Sequence, residues 1–179
     1  MDFRKARLEE IDEIYNLFLE TKLGMEKVGN LTWSNGYPNK KIFLNDIKNN
    51  NLYVLVDGNE IVGSMGVDLD ALDYFFHKSK DENKLKDMLS PTDCQTAPYV
   101  VFERLMVKPS RQGQGLGHKI FDYMFKEFKG YSVLFAVYRS NTHAINMYKR
   151  MGIKDYGTYP GWEWGIDPNL CILMCVNNR

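Results

Sequence analysis

The strongest constraint on the fold is a series of three consecutive segments: an apolar strand, a glycine-rich turn and an amphipathic helix. The strand pattern covers Tyr99–Val107, and Pro109 and Ser110 end it. The turn Arg111–Gly117 precedes a helix that Gly130 closes. The apolar face of this helix is formed by Ile120, Phe121, Met124, Phe125 and Phe128. Strand and helix patterns that alternate in this way predict an α/β fold.

Two helices and an intervening loop are predicted before the first strong strand. Apolar residues recur at helical spacing over residues 8–19, and a weaker helical pattern covers residues 40–50. Between them, Leu23–Asn39 combines several glycines with Trp33 and Tyr37. This composition predicts a loop that contains aromatic side chains.

A β-hairpin and a second set of alternating elements complete the pattern. Leu52–Val56 and Ile61–Leu69 have the composition of strands and flank a turn sequence that contains Asp-Gly, which predicts an antiparallel hairpin. Later in the chain, Ser132–Tyr138 is predicted to be a strand. Asn141 is then the expected N-cap of a short helix that ends at Gly152, and two more strands should follow.

These elements predict a mixed, largely antiparallel sheet flanked by helices, with a parallel pair formed by Tyr99–Val107 and Ser132–Val137. A chain of 179 residues with 44% hydrophobic residues can bury a core without disulfides or a structural metal. We therefore predict a single domain over residues 1–179, with one segment, 71–98, that is hard to assign. Its charged run, Lys78–Lys84, indicates either a mobile lid or a solvated surface insertion.

Charge and composition disfavour several kinds of partner. The chain has 23 basic and 23 acidic residues, and nucleic-acid binding is not expected without a clustered excess of Lys and Arg. No apolar run reaches the roughly 18 residues needed to span a membrane, and Met1–Leu8 lacks the apolar stretch of a signal peptide. We therefore expect a cytoplasmic protein that does not contact membranes.

No metal site is expected, because the cysteines and histidines show no spacing that is typical of metal ligands. The cysteines are Cys94, Cys171 and Cys175, and the histidines are His77, His118 and His143. We expect the cysteines to be reduced thiols in the core or at a sheet edge. The histidines are expected to be ordinary surface residues.

The turn Arg111–Gly117 has the composition of an anion-binding loop. Glycines let the backbone approach a ligand closely, and a helix start adds unpaired N–H groups and the positive end of the helix dipole. A pyrophosphate fits such a turn, and a merely tight turn is the alternative. Dinucleotide and NTP sites are not expected, because His118 stands where a Rossmann fingerprint needs glycine and no Gly-Lys-Ser/Thr sequence follows.

A second motif lies downstream, and together with the glycine-rich turn it resembles the GCN5-related N-acetyltransferase (GNAT) family. The family's phosphate-loop pattern Q/R-x-x-G-x-G/A is matched by Gln112, Gly115 and Gly117. Its later pattern N-x-x-A-x-x-x-Y-x-x-x-G-F is matched by Asn141, Ala144, Tyr148 and Gly152, with Ile153 in place of Phe. The resemblance is specific over residues 99–153 and concerns only the order of elements elsewhere.

The resemblance implies an acyl-CoA site, with acetyl-CoA as co-substrate, between two splayed strands. The CoA pyrophosphate would lie on the turn amides, and the pantetheine would pair with strand backbone, where one amide also polarises the thioester carbonyl. The turn residues are Gln112, Gly113, Gln114, Gly115, Leu116 and Gly117, and the strand residues are Leu105, Met106 and Val107. Asn141 would lie near the cofactor arm, or would act only as an N-cap.

Tyr148 matches the family's general acid, which protonates the departing thiolate. The reference pKa values are about 10 for tyrosine and about 8.5 for a thiol, so this transfer is uphill by roughly 2 kcal/mol. A positioned donor can still help at that cost. The alternative is that Tyr148 only packs on the inner face of its helix.

An amine acceptor needs a base, because with a pKa near 10.4 about one molecule in two thousand is unprotonated at pH 7. Some family members carry a Glu on the strand after the phosphate-loop helix, where this chain has Ala136. Glu103 is the candidate base instead, since small-amine acetyltransferases of the family often carry a Glu there. Its alternatives are a salt bridge and a solvent-facing strand position.

The resemblance thus implies transfer of an acetyl group to a primary amine of a small molecule or a protein. A catalytically silent acyl-CoA-binding sensor or regulatory module is the alternative, and dimers are frequent in the family. Candidates for lining an acceptor pocket, or for packing in the core or rim, are Trp33, Tyr37, Trp162 and Trp164. Candidates for attracting a cationic amine are Asp68, Asp70 and Asp73.

Overall fold

The computed structural model describes residues 1–70, 81–92, 98–158 and 171–177, which contain seven strands and five α-helices. The strands are β1 (Asp2–Lys5), β2 (Leu52–Asp57), β3 (Glu60–Asp68), β4 (Tyr99–Val107), β5 (Ser132–Tyr138), β6 (Lys154–Thr158) and β7 (Cys171–Asn177). The α-helices are α1 (Ile11–Lys27), α2 (Lys40–Lys48), α3 (Glu82–Leu89), α4 (Leu116–Glu127) and α5 (Thr142–Arg150). Among these helices, none is both long enough and apolar enough to cross a membrane.

The strands form one mixed sheet in the order β1-β2-β3-β4-β5-β7-β6. The β1–β2, β2–β3, β5–β7 and β6–β7 pairs are antiparallel, and the β4–β5 pair is parallel. This architecture confirms the predicted α/β fold with a mixed, largely antiparallel sheet and flanking helices. The predicted hairpin is the β2–β3 pair.

The chain divides into two compact units that share β4. The first unit contains Met1–Val67 and Glu103–Glu127, and the second contains Asp68–Phe102 and Phe128–Arg179. The last five residues of β4 therefore belong to the first unit and its first four residues to the second.

The core of the first unit lies between α1, α2 and the β2–β3 hairpin. Ile14, Phe43 and Leu52 are fully buried there. Aromatic rings provide much of the contact, because the Phe18 centroid lies 5.4 Å from that of Phe43 and 5.6 Å from that of Trp33. Helical spacing of the apolar residues thus predicted both helices and their inward faces.

Two elements of the first unit differ from the sequence prediction. Helix α1 continues to Lys27, so the predicted loop begins later than Leu23, and Gly24 lies inside the helix. Gly24 lies beside Pro109, since a Cβ at Gly24 would be at an ordinary van der Waals distance, 3.6 Å, from the Pro109 ring. Strand β1 was not predicted because four largely polar residues carry no strand signal of their own. It forms by pairing with β2.

The second unit is built on β4, β5 and β7, with α3 packed against them. Its core cluster consists of Leu85, Leu89, Val101, Leu134 and Cys175. Cys175 is buried in this core, one of the two positions predicted for the cysteines. Cys94 and the side chain of Cys171 lie outside the described residues.

Helix α3 lies in segment 71–98, whose charged composition indicated a lid or a solvated insertion. The helix is capped by the Asp81 carboxylate, which accepts a 2.9 Å hydrogen bond from the Lys84 amide. Its two leucines, Leu85 and Leu89, are buried. They follow the charged run and are spaced four residues apart, which is the spacing of an inward helix face. Residues 71–80 and 93–97 lie outside the described residues.

We expect Leu85→Ala to lower the free energy of unfolding by about 2–5 kcal/mol, as is typical of a leucine removed from a packed core. Leu85 is 1% exposed in the second unit's core, so the substitution leaves a cavity. The neighbouring exposed residue provides the control, and Lys84→Ala should change stability by about 0.5 kcal/mol or less. Urea denaturation measures both. A loss below about 1 kcal/mol for Leu85→Ala would show that α3 is not part of the core.

Candidate functional site

The parallel pairing of β4 with β5 is short. It joins Tyr99–Val101 to Ser132–Leu134, three residues of each strand, within the second unit. β4 itself has nine residues and β5 has seven. The parallel pair predicted from the sequence is therefore present, and its pairing covers less than half of either strand.

An irregularity interrupts β4 at Arg104. This residue has φ +53°, in the left-handed region that L-amino acids other than Gly, Asn and Asp rarely adopt. The conformation costs roughly 1–2 kcal/mol, so surrounding contacts must stabilise it. The irregularity lies between Glu103, the predicted base, and Leu105–Val107, the predicted pantetheine-binding residues.

Glu103 forms an ion pair with the residue that follows it. One carboxylate oxygen lies 2.6 Å from Nη1 of Arg104, and the Glu103 side chain is 28% exposed. The salt bridge named as an alternative for Glu103 is therefore present. Because the side chain also remains partly exposed, the ion pair does not remove Glu103 as a candidate base.

The turn after β4 has the geometry of an anion-binding loop in the first unit. Gly113 and Gly115 both have φ +76°. Beyond the adjacent residues of the chain, no atom of the part that the structure describes would lie within 4 Å of a Cβ at either position. Helix α4 begins at Leu116, so Leu116 and Gly117 lie in its first turn, whose N–H groups have no partner within the helix. The loop therefore has open space beside its glycines and amides at a helix start, which fits a phosphate group.

Ion pairs fasten this loop to the hairpin turn. Arg111 Nη2 lies 2.6 Å from an Asp57 carboxylate oxygen, and Arg111 Nε donates to Gln114 at 3.2 Å. At the end of β4, Lys108 Nζ lies 2.6 Å from a Glu60 oxygen. The hydrogen bond from Arg111 lowers the pKa of Asp57, and the hydrogen bond to Glu60 raises the pKa of Lys108. The contacts with the hairpin turn join residues 54 and 48 positions apart, so no local sequence pattern predicts them.

Two further contacts tie the predicted cofactor residues to the sheet. The Gln112 side-chain amide donates to the Val107 carbonyl at 3.2 Å. The Lys108 amide donates to the Val62 carbonyl at 2.9 Å, next to β4.

Met106 is fully buried in the first unit's core. Its side chain is thus structural, and only its backbone groups remain candidates for pantetheine binding.

The second motif lies in the second unit, where Asn141 caps α5. The Asn141 side-chain oxygen accepts a 3.3 Å hydrogen bond from the Ala144 amide, so its capping role is confirmed. The role of Asn141 near a cofactor stays a prediction. Tyr148 follows two turns later on the same helix.

Tyr148 is a buried side chain, 8% exposed, whose ring stacks on Phe135 with centroids 5.2 Å apart. Burial raises the pKa of the Tyr148 phenol above its ordinary value. The phenol therefore stays protonated at any ordinary pH, but full proton transfer to a thiolate costs more than the reference values indicated. The packing role named as an alternative is present, and the acid role stays a prediction.

The residues proposed to contact the acceptor are only partly described. Trp33 packs against the first unit's core, and the Tyr37 hydroxyl accepts a 2.9 Å hydrogen bond from Arg104. Asp68 and Asp70 are close to each other at the end of β3, where the Asp70 amide donates to the Asp68 carboxylate at 2.8 Å. Asp73, His77, Trp162 and Trp164 lie outside the described residues.

His118 and His143 are exposed, as expected. Over residues 1–70, 81–92, 98–158 and 171–177, no group of three or more potential ligands could hold a metal ion.

The mixed sheet with its parallel pair, and the glycine loop that opens α4, define the acyl-CoA N-acyltransferase fold. The sequence model of the acetyltransferase (GNAT) family matches residues 11–153, which include parts of both units. The chain therefore belongs to the GNAT acetyltransferase family. That family generally uses acetyl-CoA.

Solved structures share the fold at low sequence identity. A GNAT acetyltransferase from Streptococcus agalactiae has a TM-score of 0.73 at 18% identity, covering 97% of this chain and 93% of that one. A second from Listeria monocytogenes has a TM-score of 0.69 at 16% identity, with 98% and 93% covered. The loading GNATL domain of CurA from Lyngbya majuscula has a TM-score of 0.66 at 14% identity, with 99% and 97% covered. No functionally curated protein matches the sequence significantly.

Proposed function

We propose that the protein is an acetyl-CoA-dependent N-acetyltransferase that moves an acetyl group to a primary amine. The observation that carries this proposal is the loop with Gly113 and Gly115 at φ +76°, open on the side where a Cβ would point. Membership of the GNAT acetyltransferase family supports the choice of cofactor and reaction. The acceptor would be an amine of a small molecule or of a protein.

The loop and the end of β4 are the proposed cofactor-binding residues. Of the loop residues Gln112–Gly117, the Gln112 amide already donates to the Pro109 carbonyl at 3.3 Å. The amides of Gly113, Gln114, Gly115, Leu116 and Gly117 would hold the pyrophosphate, with Gln112 beside them, and the backbone of Leu105, Met106 and Val107 would pair with the pantetheine. One of these strand amides would stabilise negative charge on the thioester oxygen. The ion pair between Arg111 and Asp57 supports this assignment, because it joins the loop to the hairpin turn.

Bound acetyl-CoA would supply a thioester, and the proposed roles of the chain's residues follow from its cleavage. The amine nitrogen forms a bond to the acetyl carbon while the carbon–sulfur bond breaks. Glu103, directly or through a water, accepts the proton that the nitrogen loses. Tyr148 provides a hydrogen bond or a proton to the departing sulfur, and its raised pKa favours the hydrogen bond.

A catalytically silent acyl-CoA-binding module is the second candidate. It is favoured by the burial of Tyr148, which makes the phenol a poorer acid, and by Ala136 at a position where some family members carry a Glu. Such a module would bind acetyl-CoA but release no CoA thiol with any of a broad panel of amines.

We expect saturating acetyl-CoA to raise the melting temperature by roughly 5–10 °C. Binding at a hundred times Kd adds about 2.7 kcal/mol to the stability of a chain of this size. NAD and ATP are the controls and should produce no shift, because the loop lacks their sequence fingerprints. A folded protein that shows no shift with acetyl-CoA would contradict the proposed cofactor site.

We expect Glu103→Gln to remove the acidic limb of the pH–rate profile and to lower kcat/KM about a hundredfold at neutral pH, since a general base contributes typically that much. The substitution keeps the size of the side chain and removes its charge. Thiol release with the best amine from the panel measures the profile. If the profile of Glu103→Gln matches that of the unmodified protein, the base is another group.

A further inference from the structure

A buried charged cluster surrounds the irregularity in β4, and the proposed reaction leaves most of it unused. It is centred on Arg104, whose side chain is 5% exposed. Nη2 of Arg104 lies 2.6 Å from an Asp46 carboxylate oxygen on α2. Nη1 donates to the Tyr37 hydroxyl, in the loop before α2, at 2.9 Å. The same Nη1 lies 2.6 Å from the Glu103 carboxylate.

Neighbouring residues of a regular strand do not make such a pair. Successive strand side chains point to opposite faces of the sheet, so Glu103 and Arg104 would normally diverge. The positive φ of Arg104 breaks this alternation. Gly66 on β3 provides the necessary room, because a Cβ there would lie 3.0 Å from Nη2 of Arg104. The ion pair between Glu103 and Arg104 thus depends on the left-handed conformation of Arg104.

Among the contacts of the described residues, acidic groups outnumber basic ones in this cluster. Two carboxylates, on Asp46 and Glu103, face one guanidinium, and burial raises the pKa of Tyr37, which keeps its phenol neutral. Burial alone would lower the pKa of Arg104. Its contacts, above all the one with Glu103, raise the pKa by more than burial lowers it. Arg104 therefore keeps its charge at every pH at which the protein is folded, and the two carboxylates share it.

We propose that Arg104 is a positioning residue: its contacts with Asp46 and Tyr37 hold the left-handed turn in β4 and thereby orient the Glu103 carboxylate and the amides that follow. The part that concerns catalysis rests on the proposed function, in which Glu103 is the base. Because the same guanidinium also pairs with Glu103, the cluster sets the pH range in which that base works.

The test uses two variants with opposite expected effects on the acidic limb of the pH–rate profile. Asp46→Asn removes a competing carboxylate, so Arg104 stabilises the ionised form of Glu103 more strongly, and the limb moves to lower pH. Arg104→Lys loses the forked guanidinium and pairs more weakly with Glu103, so the limb moves to higher pH. We expect shifts of about 0.5–1 pH unit in each direction. A purely structural role would lower stability without moving the limb.

Arg4→Lys is the matched control. Arg4 forms a comparable ion pair, 2.6 Å to Glu10, on β1, which is separated from β4 by β2 and β3. It should leave the limb in place. If Glu103→Gln removes the limb while Asp46→Asn and Arg104→Lys both leave it unchanged, the positioning role is wrong.

Amide hydrogen exchange separates failure of this inference from failure of the proposed function. If the unmodified protein acetylates no amine, or if Glu103→Gln leaves the pH–rate profile unchanged, the profile cannot test the positioning role of Arg104. The rate of amide hydrogen exchange at residues 103–107 then tests it. We then expect about tenfold faster exchange there in Arg104→Lys than in Arg4→Lys, because the turn loses its support. Equal exchange in both variants would overturn the inference. Should Arg104→Lys fail to fold, Tyr37→Phe replaces it in this comparison.

Discussion

Replacing Tyr148 with Phe is expected to lower kcat about a hundredfold, because a positioned group that donates a hydrogen bond or a proton to developing charge typically contributes that much or more. The substitution keeps the ring that stacks on Phe135 and removes only the hydroxyl. Acetyl-CoA should therefore still raise the melting temperature as it does in the unmodified protein. Thiol release at saturating amine and acetyl-CoA measures the rate. A decrease of less than about threefold would contradict the donor role and leave Tyr148 as a packing residue.

Tyr53→Phe is the matched control for this prediction. Tyr53 is also buried, its hydroxyl donates to Glu127 at 3.4 Å, and burial raises its pKa to about 12. Removing this hydroxyl should change stability slightly and kcat little.

Because burial raises the pKa of Tyr148 as well, the donor stays protonated above its ordinary range. A decrease in rate on the basic side of the pH–rate profile, below pH 10, therefore cannot come from ionisation of Tyr148. The same decrease should be seen in Tyr148→Phe.

Gly115→Val is expected to weaken acetyl-CoA binding at least about a hundredfold, because a β-branched residue is a strong outlier at positive φ and its side chain would fill the open side of the loop. Apart from Gly115 and its two chain neighbours, no atom of the described residues lies within 4 Å of the position that this Cβ would take. With ligand at a hundred times the original Kd, the thermal shift should fall from roughly 5–10 °C to about 1–2 °C.

Gly29→Val separates loss of binding from loss of stability. Gly29 has the same φ, +76°, and the same open surroundings, but it follows α1 rather than β4. Both variants should destabilise the unliganded protein to a similar extent. Only Gly115→Val should lose the acetyl-CoA shift. A full shift in Gly115→Val would mean that the loop is a tight turn and not the phosphate site.

The elements were largely predictable because their signals are local. The bounds of β4 match the run Tyr99–Val107, and Asn141 and Gly152 mark the ends of α5 as expected. Periodicity and capping act over a few residues, so one stretch of chain contains them completely. β1 and α3 were missed because their stability comes from partners elsewhere. β1 needs β2, and α3 needs a core into which Leu85 can insert.

The candidate site divides in the same way. The sequence alone determined the glycine loop, the GNAT resemblance and the identities of Glu103 and Tyr148, because motif spacing is a property of the chain. Only the tertiary structure decided what surrounds these groups. The burial of Tyr148 depends on β5, and Arg104 meets Asp46 from 58 residues away. Desolvation and ion pairing act through space, so they determine the chemistry of a side chain only after the chain has folded.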